Sequence, residues 1–399
     1  MPSIPAALRD HVLGPGRAVL VLAGVEILAW GVLIYSPVLM LPHLAAARGW
    51  SLAACMGGFS LALVVSGLVA PTAGHLIERH GGNAVMSAGA LAGAAGLAGL
   101  TIASHPLAYA LCWILLGAAM ASTLYDPAFT TLTRIFGMSA RRQITFVTFA
   151  GGFASTVLWP ATHTLLGLID WRATYLVFAA VFAFVMAPLL MFALPRERTL
   201  ASAAAGAAAS APPRVHKPEG RVFVLITIGF AMHALILSGL TSNWLAMMAR
   251  DGLPPALIVT IGALFGPAQV AARLVDFASG GRIHPLWIAR GALATMAAAF
   301  ALLATTGIVV PAAILFTVAF GAANGVMSIA RGALPLALFG SVGYGRTVGR
   351  IARPAQFVQA LAPFVAASAL ERLSDRAVLL AGCACALTAV ACFAAMRRP

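Results

Sequence analysis

The sequence predicts an all-α polytopic membrane protein, with twelve transmembrane helices in two pseudo-symmetric six-helix bundles. Three observations carry that expectation. The 399-residue chain is 61% hydrophobic and only 9% charged, with a mean hydropathy of +0.96, whereas soluble domains carry about 25% charged residues. Its apolar residues fall into twelve runs near the roughly 20 residues that a bilayer requires. A loop pattern also recurs 198 residues on: Gly74-His75-Leu76-Ile77-Glu78 is answered by Ala272-Arg273-Leu274-Val275-Asp276. Each copy closes an apolar run and leads to a glycine pair, Gly81-Gly82 and Gly280-Gly281. Backbone groups in lipid must be satisfied internally, so the runs are expected to be helices.

In chain order the spans are expected at 18–41, 52–76, 84–103, 107–133, 144–168, 173–194, 222–248, 256–276, 286–306, 309–334, 351–370 and 377–396. The first is a span and not a signal peptide, although Ala45-Ala46-Ala47 follows it, because signal h-regions cover only about 7–15 residues. In the third, Gly89-x-x-x-Gly93 and Gly96-x-x-Gly99 read as packing sites that let helices approach closely. After the sixth comes the one long polar break, Ala/Ser/Gly-rich and then Pro212-Pro213, Arg214, His216, Lys217, Pro218 and Glu219. Such composition behaves as a linker. The expected domains are therefore a six-helix bundle over 1–198, a cytoplasmic linker over 199–220 and a second bundle over 221–399. An even number of spans on each side gives both halves the same orientation, related by an axis along the membrane normal. Gly31 with Gly229, Tyr35 with His233 and Asp126 with Asn324 keep the 198-residue register.

The net charge of +14 follows topology and does not point to nucleic acid. With the N-terminus inside, only Arg48, Arg172, Arg250, Arg372 and Arg376 of the 25 Lys and Arg residues fall outside. Basic loops resist translocation, so both termini are expected on the cytoplasmic face of the cell inner (plasma) membrane. The five cysteines lie in apolar runs without metal-ligand spacing and read as small hydrophobes. No cofactor or metal is expected.

The loop after the second span resembles the signature of the major facilitator superfamily, Gly-x-Leu-x-Asp-Arg-x-Gly-Gly/Arg-Arg/Lys. Gly74, Leu76, Glu78, Arg79, Gly81 and Gly82 fill its positions, with Glu in place of Asp and Asn83 in place of the last basic residue. The resemblance extends over essentially the whole chain and implies alternating access by two bundles rocking about a central cavity. Within the superfamily, Pro127-Ala128, Arg134, Phe136, Arg141-Arg142 and Ala150-Gly151 are similar in order to the bacterial monocarboxylate porters. Two cations of that group are missing: Pro37 is followed by Val38 where a Lys is usual, and Ala268 stands where an Arg is usual. The drug-efflux signature is absent around Gly151-Gly152, and Trp113 stands near the place of an Arg common in proton-linked members. The substrate stays open on motif.

Ionisable and polar groups deep in a span are site candidates by default. Glu26 lies about eight residues, or 12 Å, into the first span and reads either as a proton-carrying carboxyl or as a structural one. Asp126, about eight residues from the Arg134 end of the fourth span, precedes a helix-breaking Pro127. It reads as a substrate or proton site or as a kink stabiliser. Its repeat mate Asn324 offers neutral hydrogen bonds, and so do Gln269, Gln356 and Gln359, in the cavity or across helices. His233 and its mate Tyr35 are placed to bind substrate or protons, or to pack. Arg331 snorkels to the interface or else pairs with Asp126. Glu78, Arg79, Asp276 and Arg353 are assigned to gating. The resemblance implies that Glu78 docks against the cytoplasmic end of helix eleven near Arg350 and Arg353, and that by symmetry Asp276 faces Arg141 and Arg142.

The reading is a secondary active transporter moving a small organic solute by alternating access, coupled to protons, within the lipid bilayer, as a monomer and without nucleic acid. The alternatives are an efflux carrier for hydrophobic or toxic compounds, a membrane-embedded enzyme, or a receptor. No nucleophile–base pair or His-x-x-x-His appears, so an enzyme is not expected. Gly343-Tyr344-Gly345 lacks a following Lys-Ser/Thr, so ATP is not the driver.

Overall fold

The computed structural model describes residues 15–195, 220–279 and 282–396. Among them every regular element is helical. α1 is Gly16–Arg48 and α2 is Leu52–His80. α3 is Gly82–Ile102, α4 runs as Pro106–Thr123 and then Tyr125–Phe136, and α5 as Arg141–Gly151 and then Ala154–Leu168. α6 is Trp171–Ala193, α7 is Arg221–Arg250 and α8 is Pro255–Ala278. α9 is Pro285–Thr306, α10 is Val310–Phe339, α11 is Tyr344–Arg372 and α12 is Asp375–Ala394. Ten described segments are long and apolar enough to cross a membrane, and one of them, Pro106–Leu168, holds both α4 and α5. The twelfth helix is α11, 29 residues long and studded with Arg346, Arg350, Arg353, Glu371 and Arg372. The twelve-helix all-α architecture expected from the sequence is the one observed. The linker at 199–220 lies outside the described residues apart from Gly220, and so does the pair Gly280-Gly281.

Helix ends follow local chemistry. Ser51, Asp170 and Ser374 accept backbone N–H groups from Ala54, Ala173 and Ala377 at 3.1, 2.7 and 3.3 Å, which satisfies otherwise orphaned donors at the starts of α2, α6 and α12. α1 and α2 stop at Gly49 and Gly81, with φ of +66° and +89°, values that residues with a Cβ adopt at a cost.

The chain divides into two compact units. Among the described residues, the first holds 15–195 together with 339–350, and the second holds 220–338 and 351–396. In the first unit, α3 lays a glycine ladder on α4. A Cβ on Gly93 would lie 3.2 Å from Ala119 Cβ, one on Gly96 3.0 Å from the Cys112 carbonyl oxygen, and one on Gly99 2.6 Å from the Cys112 sulfur. This is the small-residue packing that lipid-embedded helices favour. In the second unit α8 and α10 approach in the same way: a Cβ on Gly321 would meet the Phe265 carbonyl oxygen at 2.7 Å, and one on Gly325 the Gln269 carbonyl oxygen at 2.5 Å.

Candidate functional site

The polar candidates of the first unit gather around α1 and the second segment of α4. Glu26 has no solvent exposure, and neither of its carboxylate oxygens has a hydrogen-bond partner. The Trp30 indole, one turn along, is the polar group facing it, and Asp126 is near enough for its charge to bear on it. One residue after Trp30 the helix loosens into a π turn, Gly31–Tyr35. The Ser36 hydroxyl donates to the Gly31 carbonyl at 2.9 Å and meets Thr162 Oγ1 at 3.2 Å. Gly31 is required there, because a Cβ would run into the Leu158 side chain. Single π turns recur at functional sites. This one leaves the Tyr35 carbonyl accepting from Trp159 Nε1–H at 3.1 Å.

Aromatic rings line the same region. Trp30 and Tyr125 lie 4.8 Å apart by ring centroid, Tyr125 stacks on Phe129 at 5.2 Å, and Tyr35 meets Trp159 edge-on at 6.1 Å. The Tyr125 hydroxyl donates to the Thr148 carbonyl at 3.2 Å. Asp126, half-buried, sits in the first turn of the segment Tyr125–Phe136, with Pro127 next to it. Proline is tolerated in a first turn, so the expected kink is a complete break at Leu124, whose backbone is extended. Asp126 thereby meets the positive end of a fresh helix dipole.

The second unit holds a chain of amides and cations. The Asn324 amide donates to Gln269 Oε1 at 2.9 Å, and Arg273 Nη2 donates to the same oxygen at 3.3 Å. Arg273 Nε also donates to the Gly325 carbonyl at 3.2 Å, a reach that the missing Cβ of Gly325 permits. Asn324 faces His233, and the Arg331 charge is felt there. His233 Nε2 is buried without a hydrogen-bond partner, as is Gln356 Oε1. The backbone carbonyl of Gln359 accepts from the Ser238 hydroxyl at 2.9 Å, tying α7 to α11. At the far end of α7, Arg250 pairs with Asp375 at 3.2 Å. Beside them, partial burial and the Asp375 charge push the Asp251 carboxyl above the usual range, against the pull of Arg250.

The gating candidates differ in their local settings. Glu78, in the last turn of α2, accepts the backbone N–H of Arg346 on Oε1 at 3.1 Å. Arg346 is the third residue of α11, so a carboxylate caps that helix's orphaned donors and meets its dipole. The Glu78 carbonyl in turn accepts from the Arg134 guanidinium. The approach is close: a Cβ on Gly74 would run into the Gly345 carbonyl, and one on Gly349 would lie 2.5 Å from the Ala70 carbonyl oxygen. Arg79 is exposed. Arg353 is exposed and lies 5.8 Å over the Phe357 ring. Asp276 is buried at 8% exposure, and its carbonyl accepts from the Ser279 hydroxyl at 2.6 Å.

Sequence reasoning missed three participants. Arg273 was assigned to a loop motif, yet it is 5% exposed and holds Gln269. The signal was the Gly321-x-x-x-Gly325 spacing, which marks a helix pressed against α10. Trp30 and Tyr125 were not singled out, although Trp30 lies one helical turn after Glu26 and Tyr125 directly precedes Asp126. Among the described residues no three His, Cys, Asp or Glu side chains gather to hold a metal ion.

The family profile described as Major Facilitator Superfamily matches residues 20–352. No sequence among the curated proteins is a significant match. Among solved structures, the human organic anion transporter TETRAN is 18% identical, with 98% of this chain and 100% of that chain covered and a TM-score of 0.71. The proton:xylose symporter XylE bound to 6-bromo-6-deoxy-D-glucose is 12% identical, with 94% of each chain covered and a TM-score of 0.71. The E. coli fucose:proton symporter FucP is 11% identical, with 96% of this chain and 98% of that chain covered and a TM-score of 0.69. At these identities the likeness is one of fold.

Proposed function

The chain belongs to the major facilitator superfamily, and from that premise we propose that this multi-pass secondary transporter couples movement of a small organic anion to protons by alternating access. The observation that carries the coupling is Glu26, fully buried with both carboxylate oxygens unpartnered. A lone ionised carboxylate in such a place is expensive, whereas its neutral form is tolerated, so the group loads a proton when enclosed and releases it when hydrated. The xylose and fucose neighbours are proton symporters by description, which agrees with this reading.

The anion is favoured by the second unit, where His233, Asn324 and Arg331 offer an imidazole, an amide and a guanidinium in one neighbourhood. An anionic group placed there receives charge-assisted hydrogen bonds. TETRAN is described as an organic anion transporter. Glu78 on the start of α11 serves as the cytoplasmic latch, and Arg79, Asp276 and Arg353 complete the gating set. Tyr35, Asp126, Gln269 and Gln356 shape the solute and proton path. The protein acts as a monomer in the inner membrane with both termini cytoplasmic.

A thermal-shift panel of organic acids, cations and sugars, followed by counterflow of the stabilising compound in proteoliposomes, tests the substrate class. Stabilisation and counterflow by an organic acid are expected. Counterflow by a cation alone would overturn the anion reading.

A further inference from the structure

The two events proposed above, proton loading at Glu26 and latching at Glu78, take place in one compact unit, and a single short helix touches both. We propose that Tyr125–Phe136 is a rod, hinged at Leu124, and that Arg134 and Thr130 are the positioning residues through which the state of Glu26 sets the α2–α11 latch. The inference rests on the proton-carrying reading of Glu26.

The spacing makes the rod possible. Asp126, Thr130 and Arg134 are four residues apart, so they line one face of the segment over two turns. At one end Trp30, one turn from Glu26, packs 4.8 Å by ring centroid from Tyr125, the residue before Asp126, and the Asp126 charge bears on Glu26. In the middle, a Cβ on Gly345 would run into the Thr130 methyl, which places this face directly on the start of α11. At the other end Arg134 donates to the Glu78 carbonyl, while the Glu78 carboxylate caps the Arg346 N–H. The rod is bounded by a backbone break at each end. It is separated from Pro106–Thr123 by the extended Leu124 and is followed by Gly137 at φ +58°. Within it the Thr130 and Thr131 hydroxyls bond back to the carbonyls of Asp126 and Pro127 at 2.7 and 2.9 Å.

The driving force is repulsion between like charges. With Glu26 neutral, Asp126 rests at the dipole end of the rod and the latch is made. Ionised Glu26 repels Asp126, tilts the rod about Leu124, and carries Arg134 and with it the Glu78 carbonyl away from α11. Transport is thereby linked to protonation by displacement of a solid element, and no proton needs to travel to the latch.

The test uses the full-length protein in nanodiscs, its five cysteines replaced, with spin labels at exposed His75 and Val342 reporting the distance between α2 and the start of α11. Glu26→Gln, which mimics the protonated carboxyl, is expected to raise the latched-to-released ratio by about tenfold, within the range typical of coupling between sites. Arg134→Ala is expected to abolish that response, and Arg134→Lys, which keeps one donor for the carbonyl, to retain part of it. A merely structural Arg134 would shift the baseline in both backgrounds and leave the response intact. An undiminished response to Glu26→Gln in Arg134→Ala would overturn the rod and spare the proton reading. No response in the otherwise unaltered protein would also overturn the rod, while the proton reading stands or falls separately on gradient-driven accumulation in Glu26→Gln.

Discussion

Positions 198 residues apart compare the two halves of the chain directly, and their frames agree better than their chemistry. Gly31 and Gly229 both sit where a side chain would strike a neighbour, Leu158 in one case and Phe393 in the other. The helices that carry them nevertheless differ. α1 opens into a π turn at Gly31–Tyr35, whereas α7 is α-helical from Arg221 to Arg250. α4 breaks at Leu124, whereas α10 runs unbroken past the matching Ala322. The polar residues part company as well. Glu26 is answered by Val224, Asp126 by Asn324, Thr133 by Arg331 and Pro71 by Gln269. Around the candidate groups, Glu26 and Asp126 sit beside the Trp30 and Tyr125 rings in the first half, while Asn324, Gln269 and Arg273 join amides and a guanidinium in the second. Under the function proposed above, two halves with matching frames divide the labour, protons to one and solute to the other.

The most direct way to break that division is Asn324→Leu. It removes the amide that orders Gln269 and faces His233, and it leaves Gln269 Oε1 with one donor fewer. Losing such a bond costs about 1–3 kcal/mol, so the solute KM in counterflow should rise about tenfold or more. The proton-to-solute ratio should stay unchanged. A changed ratio with an unchanged KM would assign the second half to coupling and erase the contrast.

The shared frame can be sharpened through its glycines. Gly31→Ala and Gly229→Ala each force a Cβ into an occupied space, and overpacking of that kind typically costs about 1–3 kcal/mol. Both variants should lose thermal stability in detergent to a similar extent. If only Gly31→Ala is destabilised, the two helices do not share a packing role.

The smallest effect is expected at Asp251, where the contrast between halves ends at the water interface. Its carboxyl is pushed above the usual range, so the folded protein binds more protons there than the unfolded chain does. Stability therefore falls slightly as pH rises from the ordinary carboxylate value through the raised one. Asp251→Asn should flatten that part of the Tm–pH curve, and an unaltered slope would place its origin elsewhere. The pair Arg250–Asp375 nearby is half-exposed on the arginine side and adds little.

The frame was legible because span length and loop repeats are written in residue type. The expected spans at 52–76, 84–103 and 286–306 lie within a few residues of Leu52–His80, Gly82–Ile102 and Pro285–Thr306. α11 was harder. Its apolar run starts near Ile351, but the helix begins at Tyr344, because Gly345 and Gly349 press a polar stretch against α2. The π turn at Gly31–Tyr35 left no local signal, and Leu158 of α5, which packs where a Gly31 Cβ would lie, is far along the chain. Arg273 was read as a loop residue because nothing in its own segment shows that Gly325 lets it reach α10. Candidates such as Glu26 and Asp126 could be named from charge in an apolar run, but their proximity to each other depends on tertiary packing.

The central claim is that the first half carries the proton through Glu26. Proteoliposomes bearing Glu26→Gln, assayed in parallel for counterflow and for accumulation driven by a pH gradient, test it most directly. Counterflow that persists, slowed by no more than the added latching, with gradient-driven accumulation reduced to background, is the predicted result. Accumulation that persists in the variant would contradict the account.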